Sequence, residues 1–435
     1  MSRRTSFVDY DYVRERLVSL IRIPSVTGQE DAAVGQIANW LQRLDVEIDY
    51  WNDGIASLQR DPRYPGHEVE RAWAPVVVGV LRGEQPGPTV LLTGHVDVVP
   101  PGDYSLWSEE PFSGVVRRDR VYGCGASDMK SGLIAAMTAF EAFAESGRNF
   151  PGRIIFAAVP AEEDSGLGTL AAIRGGWQAD AAIIPEPTLS GSGMPELVIA
   201  HAGAMSLRVE VPGKAAHASK RTQGESALDH FLKVYEAMRA DERAINEQET
   251  HPLMRVHPLP YATNVGIIRG GTWSSTVMDS LEAMVRVGVT LEETIEQAEA
   301  RFRKAVLDHV RDDPWLSEHP PKISRLASGF GSARIDQEHP LVQAMAQSAE
   351  EEFRHAPTIA AAPYGCDMSG WVRLAGVPTV VYGPGEIELA HAPNESVSLE
   401  KTYKVARTLV RATERLLECD PQSLKMRPLE ETAPE

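Results

Sequence analysis

Apolar positions in residues 10–23 recur every three or four places, at Val13, Leu17, Leu20 and Ile21, which predicts a helix that Pro24 closes. Residues 31–44 repeat the stripe with Val34, Ile37, Leu41 and Leu44. Residues 75–81 and 88–93 are short, β-branched and bounded by Gly and Pro, so they predict buried strands. An alanine-rich helix is expected over 129–143, and short apolar strands over 153–159 and 181–184. Helices set between short apolar strands predict an α/β layer around a largely parallel sheet.

The pattern changes after His201. Residues 205–211 alternate cleanly, with Leu207, Val209 and Val211 on one face, as a half-exposed strand does. A helix over 226–239, strands over 263–268 and 281–289, a helix over 292–309 and a strand near 322–326 then predict a small α+β module. The first style returns with a helix over 340–353, a strand over 379–382 and a final helix over 399–417. The expected organisation is a larger domain in two parts, 1–203 and 329–435, with a smaller one, 204–328, inserted between them. Residues 421–435 are polar and Pro-rich and are expected to be loosely ordered.

Composition narrows the class. A chain of 435 residues exceeds one ordinary core, which agrees with two domains. No apolar run approaches the roughly 20 residues that span a bilayer, so no membrane association is expected. Arg3 and Arg4 are followed by no apolar stretch, so residues 1–10 do not read as a secretory signal. The net charge of −18 argues against a nucleic-acid partner bound through its phosphates. Three scattered cysteines, Cys124, Cys366 and Cys419, form no disulfide framework, and a cytoplasmic location is expected.

The candidate chemistry lies just beyond the apolar strands. Thr93-Gly94-His95-Val96-Asp97 follows one of them, where α/β proteins place their sites. A carboxylate two residues from a histidine can take its second ring N–H and hold it as a metal ligand; a structural histidine reads equally well from this motif alone. Asp128 stands at the entry to the alanine-rich helix, after Gly123 and Gly125, and a helix cap is the plain alternative. Glu162, Glu163 and Asp164 follow another strand, and three adjacent acids need a cation or a raised pKa. Glu186 lies between Pro185 and Pro187, as a rigidly held ligand or as part of a turn. His391 follows the Gly383-Pro384-Gly385 loop. Together these carboxylates and imidazoles suit zinc, cobalt or manganese. A phosphate loop and a dinucleotide fingerprint are both missing from the sequence, which removes the nucleotide-binding reading.

These stretches resemble the M20 metallopeptidases, the group of acetylornithine deacetylase, succinyl-diaminopimelate desuccinylase, aminoacylase-1 and glutamate carboxypeptidase. The resemblance rests on residues 94–100, Trp107, Pro111-Phe112, residues 122–132, Glu162-Glu163, Glu186-Pro187-Thr188, residues 213–217, Asn264-Val265-Gly266 and residues 391–395, in family order. It implies a zinc-peptidase-like catalytic domain with an inserted ferredoxin-like lid that also forms a homodimer. It implies two zinc ions per subunit, replaceable by cobalt or manganese. Asp128 would bridge them, with His95 and Glu186 completing one site and Glu163 and His391 the other. Asp97 would orient His95, and Glu162 would be the base that serves the attacking water. From the lid, His217 would reach a partner subunit's site, while Asn264 and Arg286 would contact substrate. Cys124 stands where the family usually has Arg, and the loop at Cys366-Asp367-Met368 departs from the usual Thr or Ser. The reaction implied is hydrolysis of an N-acylated amino acid, as in acetylornithine deacetylase. The alternative is a dipeptidase or glutamate-type carboxypeptidase with the same two metals. A binding protein on a retired enzyme fold is disfavoured, because all five ligands and Glu162 are present.

Overall fold

The computed structural model describes residues 4–189 and 193–426, so residues 427–435 of the expected loose tail and 1–3 of the amino terminus lie outside the described residues. The chain forms two compact units, one of Met1–Ala200, Arg334–Ala360 and Cys366–Glu435, the other of His201–Ala333 and Ala361–Gly365.

In the larger unit, the main sheet runs in the order Glu47–Gly54, Trp73–Arg82, Pro151–Val159, Gln85–His95, Ala181–Leu189, Thr379–Glu386 and Leu197–His201. Gln85–His95 is parallel to both Pro151–Val159 and Ala181–Leu189, which is itself parallel to Thr379–Glu386. The α/β class and largely parallel sheet expected from the sequence are therefore present. The central strands are apolar throughout because helices cover them; Val90 to Leu92 and Ile154 to Val159 are all buried. Four parallel strands bring their carboxyl ends to one edge, with His95 level with Val159 in the register.

Helix Ser131–Ser146 is buried at every position from Ser131 to Phe143, which explains its alanine-rich sequence. Gly132 lets its first turn abut the strand that carries Glu186. A Cβ there would lie 1.7 Å from the Pro185 carbonyl oxygen. Even alanine at 132 would force helix and strand apart, an overpacking that costs about 1–3 kcal/mol.

Three of the elements that the sequence reading missed or misplaced are instructive. Strand Glu47–Gly54 was not expected, because its half-buried positions include Asp49 and Asp53 and no position in it is fully buried, so no apolar alternation marks it. The short helix Leu167–Arg174 likewise has little polar contrast to reveal it, since Leu167 to Ile173 are all buried. The strand expected to end at 184 continues to Leu189 through both prolines, so Glu186 lies in a strand and not in a turn. The pairing with Thr379–Glu386 shifts register at this point, which accommodates the missing proline N–H groups.

The smaller unit has an antiparallel sheet in the order Thr263–Gly270, Ser280–Val289, Gly203–Pro212 and Lys322–Phe330. The inward residues Leu207, Val209, Val285 and Val287 pack with Phe231 of helix Ala227–Glu247 and Phe302 of helix Ile295–His309. No helix among the described residues is long and apolar enough to cross a membrane.

Candidate metal centre

The strand Gln85–His95 ends on His95, whose ring is 1% exposed. Its Nδ1 lies 2.9 Å from the main-chain carbonyl of Asp97 and 3.5 Å from the Asp97 carboxylate. The nearer acceptor is thus the carbonyl. The Asp97 carboxylate is engaged elsewhere: it accepts the backbone N–H groups of Glu162 and Glu163, each at 3.2 Å, and the Thr27 hydroxyl at 3.2 Å. Asp97 therefore fixes His95 and the Glu162-Glu163 turn relative to each other. That turn begins at Ala161, whose left-handed φ of 61° throws the two following side chains off the strand direction.

Asp128 does not cap the following helix. Its backbone is non-helical, at φ −118° and ψ 103°, and the cap position falls to Lys130. Instead the Asp128 carboxylate faces two imidazoles. Oδ1 lies 3.3 Å from His95 Nε2, and Oδ2 lies 3.6 Å from His391 Nε2. Glu186 Oε1 is 3.4 Å from His95 Nε2, and Glu163 Oε2 is 2.9 Å from His391 Nε2. Two donor triplets result, His95-Asp128-Glu186 and Asp128-Glu163-His391, and in each the donor atoms lie within 4.8 Å of one another. His391 has a left-handed φ of 57°, a conformation uncommon for any residue but glycine, and held here at the functional edge.

Glu395 has a role that the sequence did not reveal. It is 3% exposed, and its carboxylate accepts backbone N–H bonds from Gly125 at 2.8 Å, Ser127 at 2.7 Å and Asp128 at 2.9 Å. It therefore holds the turn that presents Asp128. The Ser127 hydroxyl bonds Glu386 at the end of the strand leading to His391. Lys130, fully buried, donates to the carbonyls of Leu20 and Ile23, which ties the same turn to helix Tyr10–Ile21. No local spacing marks these contacts, since each partner is more than 100 residues away.

The electrostatics follow from packing so many acids. Burial pushes Glu162 well above the usual carboxylate range, and the charge of Glu186 adds to it. Burial likewise raises Glu186 to about 8 and, with the nearby Asp128, raises Glu163. Burial alone would lower His95, but Glu186, Asp128 and Asp97 overcome it and raise it. The hydrogen bond to Glu163 raises His391 to about 9. Asp367, also buried, is pushed up to about 6 by burial and adds its charge to those acting on Glu162. The Cys366 thiol is raised by burial and by Glu186 and Glu162, and Cys124 is pushed up to about 12 by burial, so neither is a thiolate nucleophile. Cys124 packs as a small hydrophobe, 2% exposed.

This cluster fits two small divalent cations. Ligand bonds of about 2.0–2.1 Å in a tetrahedral shell put neighbouring donors roughly 3.3 Å apart; the spacings of 3.3 and 3.4 Å around His95 match, and those of 2.9 and 3.6 Å around His391 lie on either side of it. Glu163 Oε1 is buried with no hydrogen-bond partner among the described residues. Such an orphaned carboxylate oxygen is costly unless a cation takes it.

His217, Asn264 and Arg286 belong to the smaller unit. His217 is exposed, and its Nδ1 lies 2.9 Å from the Ser219 hydroxyl. Asn264 and Arg286 are also exposed and sit directly opposite each other on adjacent antiparallel strands.

The chain matches the model of Peptidase family M20/M25/M40 over residues 91–415. A curated relative, the N-formyl-4-amino-5-aminomethyl-2-methylpyrimidine deformylase of Bacillus subtilis, is 27% identical over 397 residues, covering 86% of each chain. The M20 family metallo-carboxypeptidase of Sulfolobus solfataricus superposes with a TM-score of 0.73 at 16% identity, covering 94% of this chain and 99% of that one. A dinuclear metal binding peptidase of the M20 family from Bacillus subtilis superposes with a TM-score of 0.64 at 14% identity, covering 95% of this chain and 99% of that one. The chain belongs to the M20/M25/M40 peptidase family and is a metal-dependent hydrolase of amides.

Proposed function

We propose that this enzyme hydrolyses the amide of a small N-acylated amine with a short acyl group, using two metal ions held by His95, Asp128, Glu163, Glu186 and His391. The observation that carries this reading is the single carboxylate of Asp128 facing both histidines, with one further glutamate completing each triplet. The deformylase relative, matched across most of both chains, supports a short acyl group on an amine. The amine half is an amino acid, as the sequence resemblance implies, or an aminomethyl heterocycle like that relative's.

Bound at these donors, two divalent cations would supply Lewis-acid charge and make water acidic enough to lose a proton near neutral pH. Glu162 is the base that takes this proton and returns it to the leaving nitrogen. Its burial and its acidic neighbours favour holding a proton between the two steps. Asp97 positions both His95 and the Glu162 backbone. The test is release of free amine from N-formyl, N-acetyl and N-succinyl amines and amino acids, beside simple dipeptides, with and without a chelator. Chelator-sensitive release from an N-acyl amine is expected. Release from dipeptides alone would replace this reading by a peptidase.

Metal binding has a calculable pH trend. A cation must displace the protons that His391 holds below about 9 and Glu186 below about 8. Protons compete at low pH, so affinity should rise from pH 6 to pH 9 with protons released on binding. Competition against a chromophoric chelator at stepped pH measures this; an affinity flat or falling with pH contradicts it.

The smaller unit serves as a lid and homodimer surface in this proposal, with His217 acting toward a partner's site. Leu228, Leu232 and Tyr235 expose an apolar stripe along helix Ala227–Glu247, and Ile267 and Ile268 are exposed on the edge strand Thr263–Gly270. Such a stripe beside an open sheet edge favours pairing. Light scattering should report twice the chain mass, and a fully active monomer would remove the role of His217 in a partner site.

A further inference from the structure

A cavity of about 230 Å³ lies in the larger unit between Trp107 and Tyr122, with Glu109, Glu110, Arg117 and Asn394 around it. Hydrogen bonds and strand pairing hold parts of its walls. The Trp107 indole N–H is fixed on the Pro101 carbonyl at 2.9 Å. Tyr122 lies in strand Arg120–Tyr122, paired with Val115 on one side and Ser396 on the other, and Arg117 ends the first of these neighbours. Asn394 accepts the Ser108 N–H at 2.6 Å and donates to the Leu106 carbonyl at 3.1 Å, which closes the loop over the cavity.

The same backbone carries the metal centre. Gly123, another wall residue, donates its N–H to the Glu395 carbonyl at 2.9 Å, while the Glu395 side chain holds Asp128. Asn394 precedes Glu395 and follows His391 by three positions. The cavity therefore adjoins the loops that present Asp128 and His391.

Its chemistry selects an occupant. Two aromatic side chains offer flat π surfaces. Arg117 is already paired with Glu109. Glu110 is exposed, and its carboxylate is left as the net charge of the lining. The volume equals about eight waters at roughly 30 Å³ each, room for one substituted six-membered ring. Building on the reading of an N-acyl amine hydrolase, we propose that this cavity is a subsite for the amine half of the substrate, and that it takes a planar, protonatable nitrogen heterocycle. The ring stacks on Trp107 and Tyr122, and Glu110 balances its positive charge.

The test compares kcat/KM for the N-formyl amides of an aminomethyl-aminopyrimidine and of butylamine, in the native enzyme, Trp107→Ala and Glu110→Gln. The ratio of the first to the second should fall about tenfold in Trp107→Ala and about threefold in Glu110→Gln, whose exposed carboxylate makes a weaker charge pair. N-formylbenzylamine, which has the ring without the charge, should respond to Trp107→Ala and not to Glu110→Gln. Circular dichroism guards against misfolding of Trp107→Ala, and Glu110→Gln changes only an exposed side chain. Hydrolysis of both amides with an unchanged ratio in both variants overturns the subsite and leaves the hydrolase reading standing. Failure to hydrolyse any amide overturns the hydrolase reading. The subsite is then judged by binding of the free aminomethyl-aminopyrimidine. Saturable tryptophan quenching that is lost in Trp107→Phe supports it, and no saturable quenching overturns it.

Discussion

Replacing Glu162 by glutamine should lower turnover by a factor of about 10²–10⁴, the contribution of a positioned acid–base group, while leaving the metal content unchanged. The two effects separate because Glu162 belongs to neither donor triplet. Glutamine has the same shape and keeps the backbone N–H bond to Asp97, so the turn that presents Glu163 should survive. What it lacks is the ability to accept a proton. In the native chain, burial and Glu186 make that carboxylate hold a proton unusually well, which suits a group that receives one and gives it up again. Single-turnover amine release, with elemental analysis of the same sample, is the check. A variant within tenfold of the native rate removes Glu162 from the proton-transfer step.

Asp128→Ala should be as damaging, by a different route. Each oxygen of Asp128 faces a different histidine, so this one substitution opens both triplets. Two donors remain at each, His95 with Glu186 and Glu163 with His391, below the three protein ligands of ordinary catalytic metal sites. Metal content should fall to near zero and activity by at least about 10³, since proton transfer and electrostatic stabilisation are lost together. By contrast, Glu186→Ala empties one triplet and leaves the Asp128-Glu163-His391 set whole. Elemental analysis of the two variants side by side distinguishes a shared carboxylate from two independent sites, because only sharing makes the loss at Asp128 double.

Much of this was legible in the sequence because the site is built from short local signals. A parallel strand ends where its apolar run ends, and a site residue placed just beyond it needs no long-range information. That is why His95, Glu162, Glu163 and Glu186 stand out as candidates just past their strands, while their roles as ligands and base come from the family resemblance. Asp128 was ambiguous locally, since an acid before a helix more often caps it; only the non-helical backbone at 128 removes that reading. What the sequence hid were the contacts that hold the ligands in place. Glu395 grips the turn at 125–128 from 267 residues away, and Lys130 is anchored on helix Tyr10–Ile21 more than 100 residues earlier. Spacing cannot encode such pairings. The continuation of Ala181–Leu189 through Pro185 and Pro187 was hidden for another reason: local propensity opposes a strand there, and the register shift in its partner is what permits one.

In this proposal, one chain carries two metal ions on five side chains. Its most direct test is the metal content of the native chain, stripped by chelator, reloaded with zinc, freed of excess and analysed per mole of protein. Two zinc ions per chain are expected, with amide hydrolysis restored as they bind. One ion or none retained at micromolar free zinc would contradict it.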